Sequence, residues 1–306
     1  MGMIYTLTLS PAYDLHARCE GFTSGRENLC EHISRECGGK GINISRALHS
    51  AGIESTAVIL AGKDNSDEFE KEISASLPDA RFIFTSGRIR ENLTIHHGAQ
   101  ETRISYRGFD APKNLIELIK DTVSPAPCDV LTVTGRLPEG MSPCDMLPYI
   151  NELREKGVKI VIDSRSYGAK DIKSASPWLI KPNREEISAY LGKEIRTLSD
   201  IEGCYDGIIA LGAEAALITL DSEGAALVTP SGVIFSHAPV LNAISTIGAG
   251  DSTVAGFIWA HTLNEHGEDA LMRAIACGSA AVLTKGTLPP RKSDIEKLLK
   301  IIKTNK

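Results

Sequence analysis

Short apolar runs alternate with segments whose apolar residues recur at helical spacing, and this rhythm persists through most of the 306 residues. Few architectures satisfy such alternation. Each strand must be followed by a helix that returns to the same sheet, which makes the sheet mainly parallel and puts helices on both faces. Strands are predicted at 4–9, 56–60, 130–134, 159–163 and 178–180, and helices at 40–51, 66–77, 144–156 and 184–191. A second group of strands follows at 216–220, 225–229 and 233–235, the last two joined by a turn at Ser231-Gly232. Helices at 251–264, 269–284 and 293–303 close the chain.

Two stretches break the rhythm. Residues 12–36 and 88–109 alternate with period two, as in Asn92-Leu93-Thr94-Ile95 and Thr102-Arg103-Ile104-Ser105-Tyr106, with no helix between strands. They read as a small separate sheet set against the main domain, the kind of insertion that serves as a lid. The expected division is an α/β core of 1–11, 37–87 and 110–306, with a discontinuous lid of 12–36 and 88–109.

Composition excludes several functions. The chain is 42% hydrophobic and 24% charged, enough for a large core, and its net charge of -6 leaves no electrostatic footprint for nucleic acid. Only 297–306 is locally basic, as a solvated helix end would be. No apolar run approaches the roughly 20 residues a membrane helix needs. The first residues lack the charged and apolar regions of a signal peptide. The seven cysteines are odd in number and scattered, with no Cys-x-x-Cys pair, so the sequence supports neither a zinc site nor a disulfide framework. A cytoplasmic protein with reduced thiols is expected.

Two glycine-rich stretches carry the chemistry. Gly248, Ala249 and Gly250 precede an apolar helical segment, where unobstructed N–H groups and the helix dipole favour an anion. Asp251 follows, a carboxylate placed to take a proton from an attacking hydroxyl. Taken alone, these residues suit an ordinary N-capped helix slightly better. Near the other end, Cys37-Gly38-Gly39-Lys40-Gly41-Ile42-Asn43 opens the first helix and projects an amide from its first turn. It matches neither the dinucleotide fingerprint nor the Walker sequence, and by itself reads as a hinge.

Together, Gly38-Gly39-Lys40-Gly41-Ile42-Asn43-Ile44-Ser45 and Ser245-Thr246-Ile247-Gly248-Ala249-Gly250-Asp251-Ser252 resemble the two signatures of the PfkB-type, ribokinase-like carbohydrate kinases. Leu9–Leu15, Gly62–Asn65, Gly87–Asn92 and Pro177–Asn183 are similar to the phosphosugar branch of that family. The resemblance spans nearly the whole chain. It implies a ribokinase-like α/β/α sandwich with a β-sheet lid, using ATP and Mg²⁺ to phosphorylate a ketohexose monophosphate. The lid strands leave polar and apolar faces that two subunits could share, so a homodimer through the lid is expected, and composition leaves no nucleic acid or membrane partner.

By the same resemblance, Asp251 is the catalytic base, and Gly248, Ala249 and Gly250 form the anion hole for the transferring phosphoryl group. Asp14, Gly38, Gly39, Lys40 and Asn43 match the sugar-binding positions. Arg90 matches the anchor for the phosphate already on the sugar, with Arg26, Arg88 and Arg103 as helpers; arginine suits this because its planar fork engages phosphate oxygens in pairs. Lys181, Asn183 and Glu186 match the element beside the ATP phosphates, Glu186 reaching Mg²⁺ only indirectly. An N-cap with a capping-box Glu explains the Asn183–Glu186 spacing equally well. Thr219, Gly224, Thr246, Gly278 and Ser279 fall where relatives line the nucleotide pocket.

Two departures stand out. Arg136 replaces the family's usual serine near the sugar, adding a cation that either contacts phosphate or narrows the site. Asp221 replaces a glycine near the ATP phosphates, where a carboxylate is expected to repel phosphate or shift the loop. Fructose 1-phosphate is the expected substrate. Fructose 6-phosphate, tagatose 6-phosphate and a catalytically weak sugar-phosphate-binding role stay open.

Overall fold

The computed structural model describes residues 2–98 and 100–304. The ends of the expected core, at 1 and 305–306, and residue 99 of the expected lid lie outside the described residues. The main sheet has nine strands among the described residues, in the order β13-β12-β11-β10-β9-β8-β1-β4-β5. These are β1 (Ile4–Thr8), β4 (Thr56–Gly62), β5 (Arg81–Thr85), β8 (Val130–Thr134), β9 (Lys159–Asp163), β10 (Leu179–Ile180), β11 (Ala215–Thr219), β12 (Gly224–Thr229) and β13 (Gly232–His237). From β5 to β11 neighbours are parallel; β12 and β13 extend one edge antiparallel. The turn between those two falls at Pro230-Ser231, because Gly232 already pairs with Thr229.

Every residue of β4 and of β8 is buried, as expected for parallel strands covered on both sides. Alternate side chains feed opposite cores. Val130, Val161 and Leu217 pack beneath α1 (Lys40–Ser50), α9 (Ala249–Thr262), α10 (Gly267–Ala281) and α11 (Lys292–Thr304), joined by Ile44, Val254, Ile258 and Leu298. Leu131, Val133, Ile160, Ile162 and Ile218 face the other side. There they meet α2 (Asp67–Ser76), α3 (Leu115–Thr122), α4 (Pro143–Glu155), α5 (Ala169–Ala175), α6 (Arg184–Leu191), α7 (Leu198–Glu202) and α8 (Tyr205–Ile209) through Phe69, Ile119, Ile150, Ile172 and Ile187. The α9–α10 crossing is close: a Cβ on Gly256 would stand 2.7 Å from the Cys277 Cβ and 2.8 Å from the Ala274 Cα.

The lid is a separate four-stranded sheet ordered β3-β2-β6-β7, from β2 (Ala12–Cys19), β3 (Cys30–Gly38), β6 (Arg90–His97) and β7 (Gln100–Ser105). Its central strands, β2 and β6, run parallel, with Asp14 opposite Asn92. β3 continues through Gly38, two residues beyond the expected lid boundary, and delivers the chain directly into α1.

One expectation is corrected here. Cys19 and Cys30 are joined by a disulfide, while Cys37, Cys128, Cys144, Cys204 and Cys277 are free. The two residues are cross-strand neighbours in the β2–β3 hairpin, with Cα atoms 4.4 Å apart. Hairpin register brings them together, and no local spacing rule reports that. Among the described residues, no helix is long and apolar enough to cross a membrane.

Candidate active site

β1, β8, β9 and β10 end side by side at Thr8, Thr134, Asp163 and Ile180, the edge at which open parallel sheets bind their ligands. Both glycine stretches arrive there. Gly39 adopts φ 151°, and a Cβ would stand 2.4 Å from the Thr8 Cγ2, so only glycine lets the chain turn from the lid into α1 against β1. Gly248 is left-handed (φ 77°) and caps α9. α1 and α9 lie side by side, and the Asn43 Nδ2 donates to the Asp251 Oδ2 at 2.8 Å. The two stretches thus meet through a single hydrogen bond.

Asp251 sits in the first turn of α9, only 7% exposed. Burial pushes its carboxyl up, the nearby Asp163 pushes further, and Lys40, Asn43 and Lys181 pull back, leaving it at about 6. Asp163 ends β9 with a fully buried side chain; its Oδ1 accepts from the Lys40 Nζ at 2.8 Å and lies 3.6 Å from the Lys181 Nζ. Burial lowers the Lys40 ammonium, but Asp163 and Asp251 outweigh it and hold Lys40 above its ordinary value. Lys181 leans over the start of α9, its Nζ 3.4 Å from where a Cβ on Gly250 would be. Two ammoniums and a helix N-terminus therefore surround one buried carboxyl group.

The lid supplies the other wall. The Asp14 carboxylate accepts from the Asn92 Nδ2 at 2.8 Å, and its Oδ2 lies 3.0 Å from where a Cβ on Gly38 would be. Burial raises the Asp14 carboxyl, opposed by Asn92, Arg90 and Arg103. Arg90 donates to the Asn92 Oδ1 at 3.3 Å, while its buried Nε has no partner. Burial and the neighbouring Arg136 both disfavour its charge, with Asp14 in opposition. Two guanidiniums thus converge from lid and core. Arg103 donates to Thr94 on the same lid face. The other two arginines lie elsewhere: Arg88 lines a groove of about 260 Å³ on the opposite face, with Tyr13, Arg35 and Glu91. Arg26 occupies the loop at the far end of the β2–β3 hairpin. This chain does not bring either to Asp14.

On the remaining side, Asn183 caps α6 and forms a reciprocal capping box with Glu186: the Glu186 amide donates to Asn183 at 2.8 Å and the Asn183 amide donates to Glu186 at 3.1 Å. The second Glu186 oxygen accepts from the Arg165 Nε at 3.0 Å. The Thr219 amide donates to the Pro182 carbonyl at 3.1 Å, tying the end of β11 to the same element. Asp221 adopts φ 53°, the conformation that favours glycine, and its exposed carboxylate lies 3.4 Å from the Arg184 Nε. Gly224 and Gly278 are packing positions. A Cβ at Gly224 would stand 2.1 Å from the Ser236 carbonyl oxygen, and one at Gly278 2.2 Å from the Thr253 Oγ1, directly under the first turn of α9. Ser279 follows Gly278 on α10, and Thr246 lies in the loop before Gly248.

The profile of the pfkB family of carbohydrate kinases matches residues 4–294. The chain belongs to this family. It is 32% identical to the 1-phosphofructokinase of Escherichia coli (strain K12) over 282 residues, covering 91% of this chain and 90% of that protein. It is also 32% identical to the Haemophilus influenzae 1-phosphofructokinase over 288 residues, covering 92% and 91%. The crystal structure of E. coli phosphofructokinase-2 in complex with potassium superposes with a TM-score of 0.89 at 25% identity, covering 99% of this chain and 100% of that one. This pfkB-family kinase has the ribokinase-like fold and is an ATP-dependent phosphosugar kinase.

Two of its site residues escaped the sequence reading. Asp163 is the only polar residue closing the apolar run Ile160-Val161-Ile162, a position that signals a ligand-facing strand end. Asn92 is visible as part of a period-two strand and as the end of the Gly87–Asn92 resemblance, but its partnership with Asp14 depends on the β2–β6 register.

Proposed function

We propose that this kinase phosphorylates fructose 1-phosphate to fructose 1,6-bisphosphate, with Asp251 as the base that takes the proton of the attacking hydroxyl. The observation carrying this reading is the buried Asp251 carboxylate at the N-terminus of α9, oriented by Asn43 at 2.8 Å and flanked by Lys40 and Lys181. A hydroxyl placed between Asp251 and the anion hole passes its proton to the carboxylate as its oxygen bonds the γ-phosphorus of ATP, and the bond to the ADP oxygen breaks. The amides of 248–250 and the Lys181 ammonium receive the developing charge. Asp14, Gly38, Gly39 and Asn43 orient the sugar. The phosphate already on the sugar lies between Arg90 and Arg136, with Arg103 behind, which accounts for two neighbouring cations whose charges oppose each other. The similarity to 1-phosphofructokinases favours the 1-phosphate.

Mg²⁺ fits the residues present. The Asp163 Oδ2 is a buried carboxylate oxygen without a hydrogen-bond partner, a hard ligand of the type Mg²⁺ takes. Among the described residues no cluster of three or more His, Cys, Asp or Glu side chains that could hold a metal ion exists. Asp163, and Glu186 through water, would hold it, and it supplies charge neutralisation on the phosphates.

We place the activity in the cytoplasm, where ATP and phosphosugars occur, and in a homodimer. The lid leaves Leu29 (95% exposed), Ile33, Ile104 and Tyr106 uncovered, apolar area that a second lid would bury. Sedimentation of the protein and of the Ile33→Glu, Ile104→Glu pair tests this; an unchanged monomer in both removes the dimer.

The decisive experiment is an ADP-release assay with Mg-ATP and, in turn, fructose 1-phosphate, fructose 6-phosphate, tagatose 6-phosphate and fructose. Preference for fructose 1-phosphate supports the reading. Preference for a 6-phosphate keeps Asp251 and reverses the sugar, and turnover of fructose alone removes Arg90 and Arg136 from the phosphate site.

A further inference from the structure

Glu36 does not behave as a lid surface residue. It stands on β3 opposite Asp14 of β2, so it shares a rung with the residue read above as the sugar contact. Its carboxylate crosses to the other end of the chain: the Oε2 accepts from the Thr287 amide at 2.9 Å and from the Thr287 Oγ1 at 2.7 Å. The neighbouring Gly286 is left-handed (φ 56°), and a Cβ on it would stand 2.2 Å from the Glu36 Oε1, so the loop gives up a side chain to admit the carboxylate. These partners are an amide and a hydroxyl, directional donors that fix the loop's position as well as its charge.

The loop that Glu36 holds lies between α10 and α11 and is braced internally, the Thr284 Oγ1 donating to the Leu288 carbonyl at 2.7 Å. At its start, the Val282 carbonyl accepts from the Ile244 amide at 2.7 Å and the Ser245 amide at 3.3 Å. Residues 246–248 follow and set the Gly248 cap of α9. In the other direction, Glu36 is two residues from Gly38, which lies against Asp14, and α1 then carries Asn43 to Asp251. The sugar-facing lid and the anion hole are therefore joined twice: once through α1, and once through Glu36, the 284–288 loop and 244–245.

We propose that Glu36 is a positioning residue: its hydrogen bonds to Thr287 couple the lid to the loop that sets the anion hole, so that sugar phosphate and nucleotide bind cooperatively. This rests on the phosphosugar-kinase reading of the site, though not on which phosphosugar is preferred. Seating the sugar against Asp14 fixes the β2–β3 rung, Glu36 then fixes 286–287, and the 244–248 segment is held where the γ-phosphate arrives. Coupling between ligands of this kind is typically 5- to 150-fold and is reciprocal.

The test is calorimetric. The affinity of the phosphosugar turned over fastest in the ADP-release panel is measured with and without Mg²⁺ and a non-hydrolysable ATP analogue, for the native protein, Glu36→Ala, Thr287→Val and the double variant. The native protein is expected to bind the sugar about tenfold more tightly with nucleotide present. Glu36→Ala should lose that factor to below about twofold while binding each ligand alone nearly as before; Thr287→Val, which keeps the amide bond, should lose part of it, and the double variant should go no lower than Glu36→Ala. Intact cooperativity in Glu36→Ala, or none in the native protein, overturns the proposal. Thr287→Val removes only a hydroxyl on an irregular loop, so it answers the question even if Glu36→Ala folds poorly. A native protein that binds no phosphosugar at all refutes the functional reading instead.

Discussion

Burial holds the Asp251 carboxyl at about 6, and a base must be ionised to work. kcat/KM is therefore expected to fall as pH drops through about 6, measured with saturating Mg²⁺. The stability consequence has the opposite sense. A carboxyl raised in the folded state stabilises the protein below its ordinary value of 3.8, and that contribution disappears as pH rises through about 6. Asp251→Asn should thus lose turnover by orders of magnitude while matching or exceeding the native Tm at pH 8; near-normal turnover would remove Asp251 as the base. Asp163 is one cause of the raised value, and it also engages the two lysines that oppose it. Asp163→Asn should therefore move the acid limb to lower pH, and an unmoved limb would detach Asp163 from the base. Arg90→Ala should raise KM for the sugar phosphate by about ten- to a hundredfold with a smaller effect on kcat, each lost charge-assisted hydrogen bond being worth about 1.5–3 kcal/mol. Arg136→Ser, which restores the family's usual residue, should do the same to a lesser degree; an unchanged KM in both would place the phosphate elsewhere. That the two glycine stretches open helices was legible because small residues precede apolar segments at helical spacing; that Asn43 and Asp251 meet was not. Asp163 was not legible either, because the strand order that sets its end beside those of β1 and β8 is not written in any one strand.

Among the elements, α9 and α10 pack backbone against backbone at Gly256 and Gly278, and α9 carries Gly250 and Asp251 in its first turn. Gly256→Ala places a methyl group against the Ala274 Cα and the Arg273 carbonyl oxygen at 2.8 Å, atoms that cannot rotate away. It should cost about 1–3 kcal/mol in denaturant unfolding and lower kcat, because α9 must shift; an unchanged midpoint would mean the crossing has slack. The long elements were readable from periodicity, and 130–134, 159–163 and 184–191 fall as expected. α3, α5, α7 and α8 were not, since five to eight residues barely complete an apolar period. β5 lies at the sheet edge, where Arg81 and Phe84 are exposed and blur the pattern. The Cys19–Cys30 bond and the Asp14–Asn92 contact both arise from register, which alternation within one strand cannot report.

Across the whole molecule, the lid is assembled from two excursions of the chain, and its central rung joins residues 78 positions apart. β2 has no parallel partner until β3, α1, β4, α2 and β5 have been laid down to carry β6 back beside it. Pairings that must close so long a loop form late and are the first to be given up. Native-state hydrogen exchange should accordingly show the β2 and β6 amides exchanging through an opening that leaves β1, β8 and β9 protected, and protection in the lid equal to that of the main sheet would contradict it. The clamp over the sugar would then be a separately melting unit riding on a sheet that stays shut. In that case its own opening free energy, rather than the stability of the fold, would limit how fast substrate enters and product leaves.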